Sequence, residues 1–147
     1  MEKMTLDQIA ILCGGRLRGA AGPETVAVDL YCGVGAISFH LATRARHVFG
    51  VEESPHAVLD AKQNIRLNGF HNLRFFAAPA SAGLAHLRQA LPRIDLVTLN
   101  PPRKGADEAT RTAIAAAAPA RIVYVSCGPD SLARDLAWFA ARGWATR

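Results

Sequence analysis

Two short stretches of this sequence combine residue types that suit chemistry better than packing. The first, LNPPRKG, spans Leu99 to Gly105 and must form a loop, because proline lacks a backbone donor and fixes its own torsion. The second, VYVSCGPDSLARD, places Cys127 directly after an apolar run. A thiolate is a nucleophile, and the cations Arg103 and Lys104 suit a phosphate group. Taken alone, however, a single cysteine at a strand end is more often a small buried apolar residue.

A third stretch, VAVDLYCGVGAIS, predicts a strand that runs into a glycine turn and then a helix. Gly33 and Gly35 allow the backbone to approach a ligand closely. Glu52 ends the next predicted strand, where an acidic side chain accepts both hydroxyls of a ribose. The motif lacks a third glycine and carries Asp29 inside the strand end, so it predicts a nucleoside ligand without phosphates. The alternative is a tight turn with a solvated glutamate.

Five apolar, β-branched runs alternate with segments of helical period, which indicates an α/β fold built from βαβ units. Strands this apolar, joined by helices, predict a parallel sheet buried on both faces. Ligands of such sheets bind beyond the carboxyl ends of the strands, where the glycine turn and both unusual loops lie. The predicted strands are Val26–Tyr31, Val48–Glu52, Leu73–Ala77, Asp95–Asn100 and Ile122–Cys127.

Capping residues mark the ends of three helices. A leading helix is predicted over about Leu6–Cys13. A second begins after Ser54 and ends at Gly69, and a third begins after Asp130 and ends at Gly143. Apolar residues at helical spacing predict their inward faces, Ala57, Val58, Ala61 and Ile65 in the second helix and Leu132, Leu136 and Phe139 in the third.

The bulk properties are those of one globular domain. The chain has 147 residues, of which 50% are hydrophobic, and no apolar run approaches the length of a membrane span. Three cysteines without metal-ligand spacing predict neither a disulfide scaffold nor a metal site, and place the chain in a reducing cytoplasm. The net charge of +5 favours polyanionic partners such as nucleic acid, although an arginine-rich composition explains it equally well.

Four motifs, in this order and at these separations, resemble the catalytic domain of the RNA uracil-5-methyltransferases. These S-adenosylmethionine-dependent enzymes act on tRNA and ribosomal RNA. The motifs are DLYCGVG, VEESPHAVLDAKQNIRLNG, LNPPRKG and VYVSCGPDSLARD. The resemblance implies a Rossmann-like class I methyltransferase fold with a mostly parallel sheet. It implies one domain over residues 1–147, with a leading helix and linker over 1–22 and a motif-bearing core over 26–143.

The same resemblance implies roles for individual residues. Cys127 matches the family's nucleophile, whose thiolate adds to C6 of uracil so that C5 accepts the methyl group of S-adenosylmethionine. The cationic loop and the amino terminus of the following helix are expected to favour that thiolate. The implied cofactor contacts are Asp29, Tyr31, Gly33, Gly35, Glu52 and Asn100, and the implied contacts with the RNA substrate are Asn100, Arg103 and Lys104.

Three positions depart from the family's motifs. Asn100 replaces an aspartate, although its amide can still accept from uracil N3–H and donate to O4. Pro79 replaces an acid that contacts adenine, so weaker cofactor binding is expected. Gly128 replaces an asparagine after the nucleophile, which is expected to loosen that turn.

The ends of the chain also depart from the family's pattern. The family's general base, a glutamate, is expected beyond Arg147, and its absence would impair turnover. The last two strands of the usual seven are also expected there, so the fifth strand would be an exposed edge open to self-association. An RNA-binding β-barrel usually precedes the catalytic domain. Two alternatives therefore stay open: a non-catalytic cofactor- or RNA-binding remnant, and an N-methyltransferase with an Asn-Pro-Pro loop. The second usually has an aromatic residue where Arg103 stands.

Overall fold

The computed structural model describes residues 21–146, in which five strands and five helices alternate along the chain. The helix predicted over Leu6–Cys13 lies outside these residues. The strands are β1 (Val26–Leu30), β2 (His47–Glu52), β3 (Leu73–Ala77), β4 (Leu96–Leu99) and β5 (Arg121–Tyr124). The helices are α1 (Ala36–Ala42), α2 (Pro55–Asn68), α3 (Ala80–Ala90), α4 (Glu108–Ala117) and α5 (Pro129–Ala140).

The five strands form one sheet in the order β3-β2-β1-β4-β5, and every pairing is parallel. In the centre, Ala27 of β1 lies opposite Val48 of β2 and Leu96 of β4. Every residue of β1 and β4 is buried, as expected for strands covered on both faces. The predicted α/β fold with a parallel sheet is confirmed, and its five carboxyl ends meet along one edge.

Two apolar cores lie on opposite faces of the sheet, because successive strand residues point to opposite sides. On one face, α3, α4 and α5 pack Leu84, Ile114 and Phe139 against Val28 and Val97. On the other face, α1 and α2 pack against the residues that alternate with these, with Leu41, Val58 and Ala61 contacting Ala27, Val48, Phe75 and Leu96. The molecule therefore has three layers.

The ends of α2 agree with the prediction. The Ser54 hydroxyl accepts a hydrogen bond from the Ala57 N–H at 3.4 Å, and Gly69 ends the helix with φ +69°. Val58 and Ala61 are buried, while Ala57 and Ile65 are half-buried.

The start of α5 and its inward face were predicted incorrectly. The helix begins at Pro129 with Gly128 as N-cap, so Asp130 lies in the first turn and does not cap. The buried residues of α5 are Ser131, Asp135 and Phe139, whereas Leu132 and Leu136 are half-buried. The prediction counted only apolar residues and therefore missed two polar side chains that face inward.

The limits of four of the five strands differ from the predictions by one to three residues. β3 matches, and β1, β2 and β4 differ by one residue at one or both ends. β5 ends at Tyr124, so Cys127 lies in a loop three residues beyond the strand. Within the described residues β5 is an edge strand, paired only with β4. None of the five described helices is long and apolar enough to cross a membrane.

Substitution of Gly35 tests the packing beneath the turn that joins β1 to α1. Gly35 has φ +96°, and a Cβ there would lie 2.4 Å from Cζ of the buried Phe75 ring. We expect Gly35→Ala to lower the free energy of unfolding by about 2–4 kcal/mol, since backbone strain and overpacking add. Chemical denaturation with urea measures this loss.

Gly69→Ala is the matched control for that substitution. Gly69 also has a positive φ of +69°, but a Cβ there would meet nothing within 4 Å. Its cost should be about 1 kcal/mol, from the backbone alone. Equal losses for the two variants would contradict the packing described for Phe75.

Candidate functional site

Four segments meet at the carboxyl edge of the sheet: residues 31–35 after β1, Glu52 at the end of β2, residues 100–106 after β4 and residues 125–128 after β5. Backbone hydrogen bonds continue the strand pairing into them. The Asn100 N–H donates to the Leu30 carbonyl at 3.4 Å, and the Val125 N–H donates to the Leu99 carbonyl at 2.9 Å. The start of each loop is therefore held by the neighbouring strand.

The turn after β1 has an unusual backbone. Tyr31 has φ +57°, a left-handed conformation that costs a residue with a side chain about 1–2 kcal/mol. Such strain persists where surrounding contacts over-determine it, and it is concentrated at functional sites. The Tyr31 hydroxyl donates to the Thr110 hydroxyl of α4 at 3.2 Å, which anchors the ring. Gly33 follows with φ +54°, and a Cβ there would meet nothing within 4 Å, so the turn is open above Gly33.

Glu52 holds this turn from the neighbouring strand. Its Oε2 accepts the Gly33 N–H at 3.0 Å, and its Oε1 accepts the Ser54 N–H at 2.9 Å. The side chain is half-buried. An ionised carboxylate has about four lone-pair sites, so each oxygen retains capacity for a further donor.

Asp29, one of the predicted cofactor contacts, lies within β1, below the glycine turn. It is fully buried beneath the turn, and its two oxygens accept hydrogen bonds from the hydroxyls of Ser38 and Thr98, each at 2.6 Å. Burial raises the pKa of Asp29 to about 6, against the opposing effect of these two hydrogen bonds. The carboxylate has no exposed surface and supports the turn from below.

The loop after β4 presents the predicted polar residues to solvent. Asn100, Arg103 and Lys104 are all exposed, while Pro101 is buried and anchors the start of the loop. The Gly105 N–H donates to the Pro102 carbonyl at 2.8 Å, and Gly105 has φ +82°, so the loop closes as a tight turn.

The two described cysteines differ in accessibility. Cys127 is exposed, on the loop after β5. Cys32 is half-buried, and burial together with the charges of Asp29 and Glu52 raises the pKa of its thiol. Of the two, Cys127 is the cysteine whose sulfur an incoming molecule can reach.

The loops after β4 and β5 are in direct contact. A Cβ at Gly128 would lie 2.6 Å from the backbone oxygen of Arg103, so only glycine fits there. The Ser131 hydroxyl donates to the same oxygen at 2.7 Å, and the Gly128 N–H donates to the Ser126 hydroxyl at 3.0 Å. The expectation that Gly128 loosens this turn was wrong, because the missing side chain lets the two loops pack together.

Asp135 is the functional candidate that the sequence analysis missed. It is fully buried on α5 and accepts hydrogen bonds from Arg111, Arg134, the Tyr124 hydroxyl and the Ala106 N–H, at 2.6–3.0 Å. Burial raises its pKa, but the hydrogen bonds from Tyr124, Arg134 and Ala106 outweigh burial and hold the pKa below its usual range. The only sequence signal was an Arg-Asp pair within a helix, which ordinarily predicts a solvated face.

One cavity among the described residues lies away from this edge. A hollow of about 480 Å³ at the amino-terminal edge of the sheet is lined by Glu24, Arg93, Asp95 and Arg121 together with small neighbours. None of the predicted site residues lines it. Within residues 21–146, no group of three or more His, Cys, Asp or Glu side chains is placed to hold a metal ion.

The predicted site residues therefore fall into two groups. Tyr31, Gly33 and Glu52 form one unit at the ends of β1 and β2, where Glu52 bonds directly to the glycine turn. The loops that carry Arg103 and Cys127 form a second unit at the ends of β4 and β5. Because β1 and β4 are adjacent, the two units lie side by side along the same edge.

Comparison with known sequences gives consistent matches. Residues 20–142 match the family model described as tRNA (uracil-5-)-methyltransferase. An RNA methyltransferase of Geobacter sulfurreducens, itself uncharacterized, is 53% identical over 125 residues, which cover 85% of this chain and 25% of that protein. Another from Gloeobacter violaceus is 46% identical over 138 residues, covering 93% and 29%. This chain thus spans about a quarter of the length of these curated relatives.

Comparison with solved structures extends to more distant proteins. The tRNA (uracil-54, C5)-methyltransferase of Pyrococcus abyssi, solved with S-adenosyl-L-homocysteine, superposes with a TM-score of 0.66 at 29% identity, covering 80% of this chain and 28% of that one. A precorrin-6y C5,15-methyltransferase from Geobacter metallireducens gives 0.76 at 19% identity, covering 97% and 74%. The second likeness shows the Rossmann-like methyltransferase fold alone.

The raised pKa of Asp29 makes stability depend on pH. As pH rises, Asp29 of the unfolded chain loses its proton near its ordinary pKa of 3.8, whereas Asp29 of the folded chain keeps the proton until about pH 6. This group's contribution to stability is therefore full below about pH 4 and is lost as pH rises through 6, amounting to about 3 kcal/mol by pH 7. We expect Asp29→Asn, which cannot ionise, to remove this loss.

Urea unfolding between pH 4 and pH 8 measures that difference. The wild-type curve should fall relative to the Asp29→Asn curve across the interval from pH 4 to 6. Asp60→Asn removes a carboxylate from an exposed position of α2 and should run parallel to wild type. Parallel curves for Asp29→Asn and wild type would show that burial does not raise the pKa of Asp29.

Proposed function

This chain belongs to the tRNA (uracil-5-)-methyltransferase family, and from that premise we propose that it transfers a methyl group from S-adenosylmethionine to C5 of a uridine in RNA, with Cys127 as nucleophile. The observation that carries the proposal is the exposed Cys127 on a loop packed against the Asn-Pro-Pro-Arg-Lys loop. The Pyrococcus protein named above as a tRNA (uracil-54, C5)-methyltransferase supports uridine as the target.

The first unit of the site fits S-adenosylmethionine. The open space above Gly33 leaves room for a ligand against the turn, and Tyr31 borders that turn. Glu52 retains lone pairs that suit the two hydroxyls of a ribose. Pro79 is exposed at the end of β3 and has no side-chain donor or acceptor for an adenine. We therefore assign recognition of the nucleoside chiefly to Glu52.

The second unit supplies the group that activates the base. C5 of uracil is a poor nucleophile, so the Cys127 thiolate adds to C6 and gives C5 the electron density of an enolate. When bound, S-adenosylmethionine supplies an electrophilic methyl group, which C5 accepts. Loss of the C5 proton to a base then re-forms the double bond and expels the thiolate. Cys127 lies directly before Gly128, the N-cap of α5.

The exposed polar residues beside Cys127 suit the RNA. Asn100 has an amide that accepts from uracil N3–H and donates to O4, so it can read the uracil edge without a charge. Arg103 and Lys104 are exposed on the same loop, where their positive charges suit RNA phosphates. We therefore assign base recognition to Asn100 and backbone positioning to the two cations.

Substitution of Glu52 tests the proposed cofactor site. Glu52→Gln removes the charge and turns an amide N–H toward one of the two backbone donors. We expect the affinity for S-adenosylhomocysteine to fall about 10- to 100-fold, because hydrogen bonds to charged groups are worth about 1.5–3 kcal/mol. Titration calorimetry measures the dissociation constant. Glu53→Gln makes the same change at the adjacent exposed position and should leave the affinity within about twofold of wild type. A comparable loss in both variants would contradict the assignment.

Substitution of Cys127 tests the proposed reaction. Incubation with S-adenosylmethionine and a short RNA that contains 5-fluorouridine should give a covalent adduct of protein, RNA and methyl group. Fluorine cannot leave C5 as a cation, so the adduct persists. We expect intact-mass spectrometry to show it for the wild type and not for Cys127→Ala.

Cys13→Ala is the control, since it removes a cysteine to which the proposal gives no role, and it should form the adduct as wild type does. An amine methyltransferase would methylate its substrate with or without Cys127. If the cofactor binds and no adduct forms in the wild type, the chain acts as a binding module and the proposed reaction is wrong.

A further inference from the structure

Side chains on the first two turns of α5 bind successive backbone groups of the loop after β4. Ser131 donates to the Arg103 carbonyl at 2.7 Å, and Arg134 donates to the Lys104 carbonyl at 2.9 Å. Asp135 accepts the N–H of Ala106 at 2.9 Å. We call this set of three side chains the α5 clamp. It holds the backbone directly behind the exposed cations of the loop.

Asp135 is the member of the α5 clamp that joins it to the rest of the fold. Its Oδ2 accepts from the Tyr124 hydroxyl at the end of β5 at 2.6 Å, and its Oδ1 accepts from Arg111 of α4 at 2.8 Å. The Tyr124 hydroxyl also accepts the Ala106 N–H at 3.2 Å. One buried carboxylate thus connects β5, α4, α5 and the loop after β4. Burial of an unpaired charge is costly, so the donors and the carboxylate depend on one another.

The backbone at two glycines packs closely against the α5 clamp and the loop that the clamp holds. A Cβ at Gly105 would lie 2.6 Å from both Asp135 Oδ2 and Arg134 Nη2. A Cβ at Gly128 would lie 2.6 Å from the Arg103 oxygen, as described above. Gly105 therefore lies where the loop after β4 contacts α5, and Gly128 lies where the Cys127 loop contacts the loop after β4.

We infer that Asp135 is a positioning residue that fixes the loop of Asn100, Arg103 and Lys104 relative to Cys127. This inference rests on the proposed function. In it, the α5 clamp sets the distance between the nucleophile, Cys127, and the groups that hold the uridine and its phosphate. Asp135 touches neither substrate nor cofactor. Its effect on the reaction passes through the Ala106 N–H and the start of α5, which begins two residues after Cys127.

The test compares Asp135→Asn with wild type in three measurements. In the adduct assay with 5-fluorouridine RNA, we expect the rate at saturating cofactor and RNA to fall about 10- to 100-fold, as for a misplacement of about 1 Å. The final amount of adduct and the affinity for S-adenosylhomocysteine should stay near wild type, because Glu52 and the glycine turn lie outside the clamp. Amide hydrogen exchange should be at least about tenfold faster at Ala106, with much less change at Val28 in the centre of β1.

A purely structural role for Asp135 would give a different result. Partial unfolding would lower the amount of adduct and the number of cofactor sites together, and would accelerate exchange at Val28 as much as at Ala106. That pattern would overturn the inference, and so would an unchanged adduct rate. Asp60→Asn, the same substitution at an exposed position of α2, should leave all three measurements unchanged.

Tyr124→Phe keeps the inference testable if Asp135→Asn does not fold. It removes one donor to the carboxylate and one acceptor for the Ala106 N–H, and it retains the ring. We expect a smaller loss of adduct rate, about three- to tenfold, with faster exchange at Ala106. If wild type forms no adduct at all, the proposed function fails and the role of Asp135 in the reaction fails with it. Exchange at Ala106 then reports only whether the clamp exists.

Discussion

The parallel pairing of all five strands is the constraint on which the candidate site depends. Each strand ends at the same edge, so the glycine turn, Glu52 and the loops of Asn100 and Cys127 are brought together although they are distant in sequence. Antiparallel pairing of β4 or β5 would place one loop at the opposite edge. The amino-terminal edge contains a hollow of about 480 Å³, but this hollow is lined by none of the residues suited to the chemistry.

The pKa values of two buried aspartates at this edge are shifted in opposite directions. The donors to Asp29 are neutral, namely the hydroxyls of Ser38 and Thr98 and the backbone of Ser38, so burial dominates and raises its pKa to about 6. Asp135 is equally buried, yet two guanidinium groups, a phenol and a backbone N–H bind it, and its pKa is lowered. The number and charge of the donors therefore decide the direction of the pKa shift at a given depth of burial. Asp29 supports the strand ends below the glycine turn, and Asp135 supports the loop after β4.

Local signals in the sequence predicted much of the fold. Ser54, Pro55 and Gly69 marked both ends of α2, and the apolar runs marked all five strands to within a few residues. The prediction was least accurate at β5 and α5, because the predicted strand continued to Cys127 whereas the observed strand ends at Tyr124. Pro129 occupies the first helical position after the Gly128 N-cap, a local signal that the prediction overlooked, so Asp130 lies in the first turn. Periodicity of apolar residues also could not identify an inward face that contains Asp135.

By itself, the sequence determined the parallel α/β fold, the edge at which a site forms and the residue types found there, because hydrophobic period and turn chemistry are local properties. Only the tertiary structure decided which acids face a ligand and which support the backbone. Glu52 and Asp29 are both acids at strand ends, yet one is half-buried beside the open turn and the other is fully buried. The role of Asp135 likewise arises from donors that come from four segments of the chain, and such convergence exists only once the strands and helices have packed.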